Sequence, residues 1–491
     1  MNRAIRRVGG AVVVLILVLV AQLTYLQIID ADNLENDPLN VRSALRDANR
    51  PRGEIRTADG VVLARSVPVE DGTEFKFQRE YPEGALFSQI VGYQSFVVGN
   101  TGVEKTYNDQ LVGRDTELQI ENIPDIVGGD EAVGNVVLSV RADVQRTMQA
   151  GLFAAQAQGS VVALDVRTGK VLGMYSNPSF DPQPLASHDV KEAQAYFEGL
   201  SADPAKPDLP RAYRERYPPG STFKAVTTSV GLDDGVTAPD KVYPSISALD
   251  LPQTDSTLSN FGGRSCGGTL EQSFINSCNT TFGQIGLDLG DAFVPGMARF
   301  GVGDDPPPLD VAPGAVQSVG PPAGSFQENQ PLFAFAGIGQ GDVATTPLQM
   351  ALVAAGVANG GTIMTPHVGS EIRDGNDDLV RRVDDSEWHV ATSATSAQAV
   401  SSFMVEVVQE GTGTRGQIPG VTVAGKTGTA QADGGPPHAW FIAFAPAENP
   451  QVAVSVIVER GGSLGNEATG GAVAAPIAAK VLEAALAPLP G

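Results

Sequence analysis

Residues 217–232 read YPPGSTFKAVTTSVGL. Tyr217, Pro218, Pro219 and Gly220 stop regular structure, and the pattern that follows predicts a helix beginning at Ser221. Ser221 then occupies the first helical turn, and Lys224 lies three residues on along the same face, so its amine can approach the hydroxyl. A serine hydroxyl is a poor nucleophile unless a base removes its proton, and a lysine does so only where burial or a second cation lowers its pKa. The pair alone carries little, because Ser-x-x-Lys arises by accident on the order of once in a chain of this length. The competing reading is a helix N-cap at Ser221 with Lys224 solvated.

Two other stretches change the balance. Ser277-Cys278-Asn279 offers a hydroxyl that can relay a proton and a carboxamide that can hold a substrate amide; its plainer reading is a polar turn. Lys426-Thr427-Gly428-Thr429 follows an apolar run at 421–425 read as a strand. Glycine there permits close backbone approach while Lys and Thr bind a carboxylate, against the alternative of a solvated strand end. Residues 159–176, GSVVALDVRTGKVLGMYS, read as a β-hairpin turning at Arg167 to Lys170. Runs at 421–425, 439–445 and 452–458 read as three strands whose short connections favour antiparallel pairing, and 470–486 as a final helix. Strands at both ends of a helical middle indicate an α+β fold, an antiparallel sheet flanked by helices. Residues 348–358 have helical spacing and stop at Asn359-Gly360-Gly361, and the Pro- and Gly-rich 301–330 reads as a long surface excursion. Residues 31–145 are polar and mixed, with short β-like runs at 60–63 and 136–140, and read as an elongated α+β module.

The chain has 491 residues, room for two to four units at roughly 150 residues each. A net charge of -23 excludes nucleic acid as a partner, since such binders concentrate Lys and Arg. With 42% apolar residues the protein is no multi-span membrane protein. Residues 8–29 are the exception: uncharged, and at about 1.5 Å per residue long enough for a hydrocarbon core of roughly 30 Å. Arg3, Arg6 and Arg7 precede this run and Asp30, Asp32, Glu35 and Asp37 follow it, so the positive-inside rule puts the N-terminus in the cytoplasm and the remainder on the outer side of the cytoplasmic membrane. A cleaved signal peptide is the rival, but the apolar run exceeds the usual length and lacks a small-x-small cleavage site. Cys266 and Cys278 are close in sequence and, on that reading, in an oxidising compartment, so a disulfide and two free thiols are both open. His188, His367, His389 and His438 are scattered with no zinc-like spacing, and neither metal nor cofactor is expected.

Ser-x-x-Lys, Ser-x-Asn and Lys-Thr-Gly in that order are the three-part set of the penicillin-recognising serine enzymes. The chain resembles a class B penicillin-binding protein, a monofunctional peptidoglycan D,D-transpeptidase with a non-catalytic pedestal. Arg52-Gly53-Glu54-Ile55, Gly102-Val103-Glu104-Lys105-Thr106-Tyr107 and Leu111-Val112-Gly113 resemble the family's pedestal landmarks. Thr168-Gly169, Asn177-Pro178-Ser179-Phe180-Asp181-Pro182, Gly339-Gln340-Gly341, Thr346-Pro347-Leu348 and Ala358-Asn359-Gly360-Gly361 are similar to landmarks further on. One departure is Pro210 before Arg211-Ala212, where the family pattern has Asn.

The resemblance implies a penicillin-recognising transpeptidase fold at 146–491, a pedestal at 31–145 and a cytoplasmic tail with single-pass anchor at 1–30. It implies that Ser221 attacks the penultimate D-alanine carbonyl of a stem peptide ending in D-Ala-D-Ala, forms an ester, and passes the acyl group to a second stem's amine; β-lactams acylate the same serine. Lys224 is the expected base, with Ser277 relaying a proton between Lys426 and the leaving amine. Asn279 would hold the donor amide, Thr427 and Thr429 its carboxylate beside Gly428, and the Ser221 and Thr429 N–H groups the oxyanion. A polytopic glycan polymerase and other wall-assembly proteins are the implied partners. Rival readings are a D,D-carboxypeptidase, or a β-lactam sensor or silent scaffold. A β-lactamase fits poorly for lack of a Glu-x-x-Leu-Asn segment, and a glycosyltransferase domain does not fit between anchor and hairpin.

Overall fold

The computed structural model describes residues 2–26, 30, 49–69, 75–121, 133–432 and 434–489. Residues 27–29 and the acidic Asp32, Glu35 and Asp37 of the expected anchor boundary lie outside the described residues. The chain opens with helix α1 (Asn2–Thr24), whose Ile5–Thr24 segment is apolar, long enough to cross a bilayer and exposed throughout. Strands β1 (Ile55–Arg56), β2 (Val62–Pro68), β3 (Phe77–Glu80) and β4 (Asn135–Leu138) come next. Helix α2 (Ala142–Ala154) leads into the hairpin of β5 (Gly159–Asp165) and β6 (Val171–Asn177). The helical middle includes α3 (Lys224–Asp233), α4 (Leu270–Ile275), α5 (Asn279–Leu289) and α6 (Pro347–Ala358). After it come β7 (Gly369–Arg373), β8 (Leu379–Arg382) and α7 (Ala394–Gln409). The chain closes with β9 (Ala424–Ala432), β10 (Gly435–Ala445), β11 (Val452–Val458) and α8 (Ala475–Leu486).

One sheet has the order β9-β10-β11-β5-β6, antiparallel throughout, so the two ends of the enzymatic half do meet in a single sheet as their patterning predicts. Every residue of β11 is buried, which in a strand of period two requires cover on both faces. That cover comes from α6 and α8, both packed on β11, with α2 against α8 and β6. Helix α6 is apolar all round and buried from Pro347 through Val357. Its start is fixed by Thr346, whose side chain accepts from the Gln349 N–H, and its end by Gly360 and Gly361 at positive φ.

A second sheet, β8-β7-β4-β1-β2-β3, draws four strands from residues 55–138 and two from 369–382. A buried ion cluster ties β3 of this sheet to the helical turn Gly102–Thr106: Glu104 accepts from Arg52 Nε and Arg79 Nε, each at 2.6 Å. Two landmarks far apart in sequence, Arg52-Gly53 and Glu104, are thereby one contact. The proline-rich 301–330 differs from the expected surface excursion: Leu309, Val311 and Ser318 are buried. Asp310 anchors it, accepting from Tyr107 Oη at 2.5 Å and from the Val368 and Gly369 N–H groups at 2.6 and 2.9 Å. A loop of low hydropathy is drawn inward here because one carboxylate satisfies three donors at once.

Two expected boundaries shift. The α-helix begins at Lys224, not Ser221, because residues 220–223 form a 3₁₀ turn tightened by Thr222 Oγ1 donating to Pro219 O at 2.7 Å. Lys426-Thr427-Gly428-Thr429 lies inside β9 instead of following a strand at 421–425, with its residues registered opposite Ile442, Phe441, Trp440 and Ala439. Thr429 and its neighbours lack apolar character, yet pairing with β10 carries the strand through them.

Candidate active site

Ser221 sits on the 3₁₀ turn directly ahead of α3, and two glycines let that turn press against β9. Gly220 has φ +54, and a Cβ there would stand 3.0 Å from Thr429 O; one on Gly428 would stand 2.9 Å from Pro219 O. Gly220 N–H donates to Gly339 O at 2.9 Å, which ties the turn to the Gly339-Gln340-Gly341 segment. Trp440 Nε1 donates to Pro218 O at 3.0 Å and fixes the approach to Ser221 from the neighbouring strand β10.

Ser277 lies between α4 and α5 with φ +59, a left-handed conformation costly for a serine. It is held there by Ser277 N–H to Phe274 O at 3.1 Å, Cys278 N–H to Ser273 O at 2.9 Å, and a disulfide between Cys278 and Cys266 whose Cα atoms are 5.4 Å apart. The effect is to aim the Ser277 hydroxyl at two amines. Lys224 Nζ is 3.2 Å and Lys426 Nζ 3.1 Å from Ser277 Oγ. Lys224 Nζ also donates to Ser277 O and Asn279 Oδ1, each at 2.8 Å, and Lys426 Nζ to Thr427 O at 3.2 Å. Asn279 Nδ2 donates to Ser259 O at 3.0 Å and keeps a second hydrogen.

Both lysines are fully buried. Burial holds Lys224 well below the ordinary lysine range, and the nearby Lys426 and Arg264 push it further down. Burial alone brings Lys426 down to about 7. Each amine rests on an aromatic face, Lys224 Nζ 5.2 Å from the Phe282 ring centroid and Lys426 Nζ 5.5 Å from that of Phe274. The cluster is thus one hydroxyl shared by two amines whose charged forms burial disfavours, with a serine one turn ahead of the first. Thr427 is nearly buried, and its hydroxyl lies 2.5 Å from that of Thr412.

Residues 159–483 match the family model of the penicillin-binding protein transpeptidase domain, and residues 52–137 that of the penicillin-binding protein A dimerisation domain. The chain belongs to the penicillin-binding protein transpeptidases. It is similar to the peptidoglycan D,D-transpeptidase PbpA of Mycolicibacterium smegmatis, 40% identical over 99% of both chains, and to its counterpart in Mycobacterium tuberculosis, 38% identical over 99% of both. Its fold matches penicillin-binding protein A from M. tuberculosis, solved as a ceftriaxone acyl-enzyme complex, at a TM-score of 0.83 with 35% identity over 90% of this chain and 100% of that one.

In this penicillin-binding transpeptidase the three motifs read from sequence form one cluster through Ser277 Oγ. What sequence reading missed are the supports: Phe274 and Phe282 beneath the amines, Arg264 beside Lys224 and Thr412 beside Thr427. The phenylalanines look like any core aromatics in a linear reading. Thr412 carried the one available signal, the Gly411-Thr412-Gly413 run, in which glycines on both sides of a threonine permit a tight approach.

Proposed function

We propose that this transpeptidase cross-links peptidoglycan stem peptides through an ester on Ser221, taking a donor that ends in D-Ala-D-Ala and delivering it to the amine of a second stem. The carrying observation is the shared contact of Lys224 Nζ and Lys426 Nζ with Ser277 Oγ. Lys224, its charged form disfavoured by burial, takes the Ser221 proton as the hydroxyl attacks the penultimate D-alanine carbonyl. The proton reaches the departing D-alanine amine through Ser277 from Lys426. Asn279 holds the donor amide with its remaining hydrogen, Thr427 and Thr429 bind the terminal carboxylate, and the Ser221 and Thr429 N–H groups meet the oxyanion, each worth about 3 kcal/mol. A β-lactam enters as the same acyl donor and stays on Ser221.

The division that goes with this chemistry is an anchor at 1–30, a non-catalytic pedestal at 31–145 and the transpeptidase domain at 146–491. Arg3, Arg6 and Arg7 ahead of the apolar helix support a catalytic domain outside the cytoplasmic membrane. A polytopic glycan polymerase, met through anchor and pedestal, is the partner suggested by the class B resemblance.

Intact-mass analysis after benzylpenicillin, followed by peptide mapping, tests the assignment. One adduct on Ser221, absent in a folded Ser221→Ala chain, is expected; an adduct that persists in that variant refutes the nucleophile. Release of D-alanine that proceeds equally without an amine acceptor would make the enzyme a carboxypeptidase.

A further inference from the structure

Beside the strand that carries Lys426-Thr427-Gly428-Thr429 runs a short loop, Gly411-Thr412-Gly413, entered from the end of α7. Gly411 N–H donates to Glu406 O at 3.1 Å and Gly413 N–H to Val407 O at 2.9 Å, so the loop is a tight continuation of the helix. Loop and strand lean on the same pair of glycines. A Cβ on Gly471 would stand 2.2 Å from the Thr412 carbonyl oxygen, and one on Gly470 would stand 2.6 Å from Gly428 O. Their spacing is therefore set by backbone contact. Within it Thr412 is exposed, while the hydroxyl it meets, that of Thr427, is nearly buried.

The two hydroxyls are 2.5 Å apart, and either oxygen can be the donor. Two O–H groups that share one hydrogen bond have one hydrogen left between them. If Thr412 donates, the Thr427 hydrogen is released outward, polarised by the bond it accepts; if Thr427 donates, the free hydrogen is that of Thr412. A carboxylate, which only accepts, is the group that such a pair suits. We propose that Thr412 is a further substrate-binding residue of this site, forming with Thr427 a two-hydroxyl cradle for the free carboxylate of the acyl donor, peptide or β-lactam. This rests on the reading that the donor's terminal carboxylate lies against Lys426-Thr427-Gly428-Thr429.

The test uses the full chain in detergent and measures the second-order rate of Ser221 acylation by benzylpenicillin and by its methyl ester. Thr412→Val keeps shape and removes only the hydroxyl. It should slow benzylpenicillin about tenfold, the loss expected when a hydrogen bond to a charged group goes. With the methyl ester, which has no carboxylate, it should match the unmodified chain within about twofold, and Thr412→Ser should recover most of the benzylpenicillin rate. Equal benzylpenicillin rates in the Thr412→Val and unmodified chains, equal slowing with acid and ester, or no recovery by serine each overturn the role of Thr412 and leave the transpeptidase reading standing. No adduct on Ser221 of the unmodified chain overturns both.

Discussion

Lys426 is fully buried and lies against Phe274, and its position should make the protein less stable than its fold permits. Its pKa falls from 10.5 to about 7 on folding, and at about 1.4 kcal/mol for each factor of ten this amounts to about 5 kcal/mol held against the protonated side chain. Lys426→Met keeps the length and places a thioether over the ring, a favourable contact. It loses the donations to Ser277 Oγ and Thr427 O, about 1 kcal/mol each. The variant should therefore be more stable by about 3 kcal/mol near neutral pH. The pH dependence has a fixed sign. Between about 7 and 10.5 the unfolded chain holds one more proton than the folded one, so the stability of the unmodified protein rises with pH across that window. The variant lacks this rise, and its advantage should shrink toward pH 10 and vanish or reverse there. Urea unfolding of both full-length chains at about pH 7 and about pH 10 measures it, since all other titrating groups other than the neighbouring Lys224 cancel in the comparison. A variant less stable at neutral pH, or an advantage that does not change with pH, refutes the reasoning. Acylation of Ser221 should be lost in the same variant.

Gly220→Ala sets a Cβ 3.0 Å from Thr429 O on a backbone at φ +54; it should leave the fold intact and slow benzylpenicillin acylation about a hundredfold, as a displaced nucleophile does. Asp233, at the end of α3, accepts from Thr392 Oγ1 at 2.6 Å and from Ser393 Oγ and Ser396 Oγ at 2.7 Å, anchoring Ser393, the N-cap of α7. Although burial pushes its carboxyl up, these bonds hold it below its ordinary value, so the contribution is present above pH 4 or so and is lost as pH falls. Asp233→Ala should cost about 2 kcal/mol in urea unfolding near neutral pH and little in strong acid. Cys266→Ser opens the loop to Cys278, a separation of 12 residues, and should cost about 3 kcal/mol. Because Cys278 adjoins the left-handed Ser277, that variant should also be acylated more slowly, whereas unchanged acylation would mean that the hydrogen bonds of Ser277 suffice.

The sheet and the three motifs were legible because each depends on local pattern. The hairpin at 159–177 is two apolar runs about a turn at Thr168-Gly169, and α6 is bounded by Thr346-Pro347 and Gly360-Gly361. Ser221 in the 3₁₀ turn and Lys224 at the head of α3 are adjacent through a relation fixed within four residues. What linear reading could not supply is partnership at a distance. β9 runs through Lys426 to Thr429 only because β10 pairs with it, and 301–330 turns inward only because Asp310 finds donors from Tyr107 and from residues 368–369. The buried Glu104 shows the same limit, since nothing near it in sequence announces that two arginines will neutralise it. Phe274 and Phe282 have no polar signature, and their place beneath the two amines appears only once the chain is folded.

The loan of β7 and β8 to the sheet built from residues 55–138 has an evolutionary meaning. A gene cut between the two halves would leave Asn135–Leu138 with an open hydrogen-bonding edge and the hairpin of Gly369–Arg373 and Leu379–Arg382 with nothing to pair, inviting strand exchange between molecules. The halves therefore cannot be shuffled as separate cassettes. Any replacement for the dimerisation domain at 52–137 would have to accept a foreign hairpin at its edge.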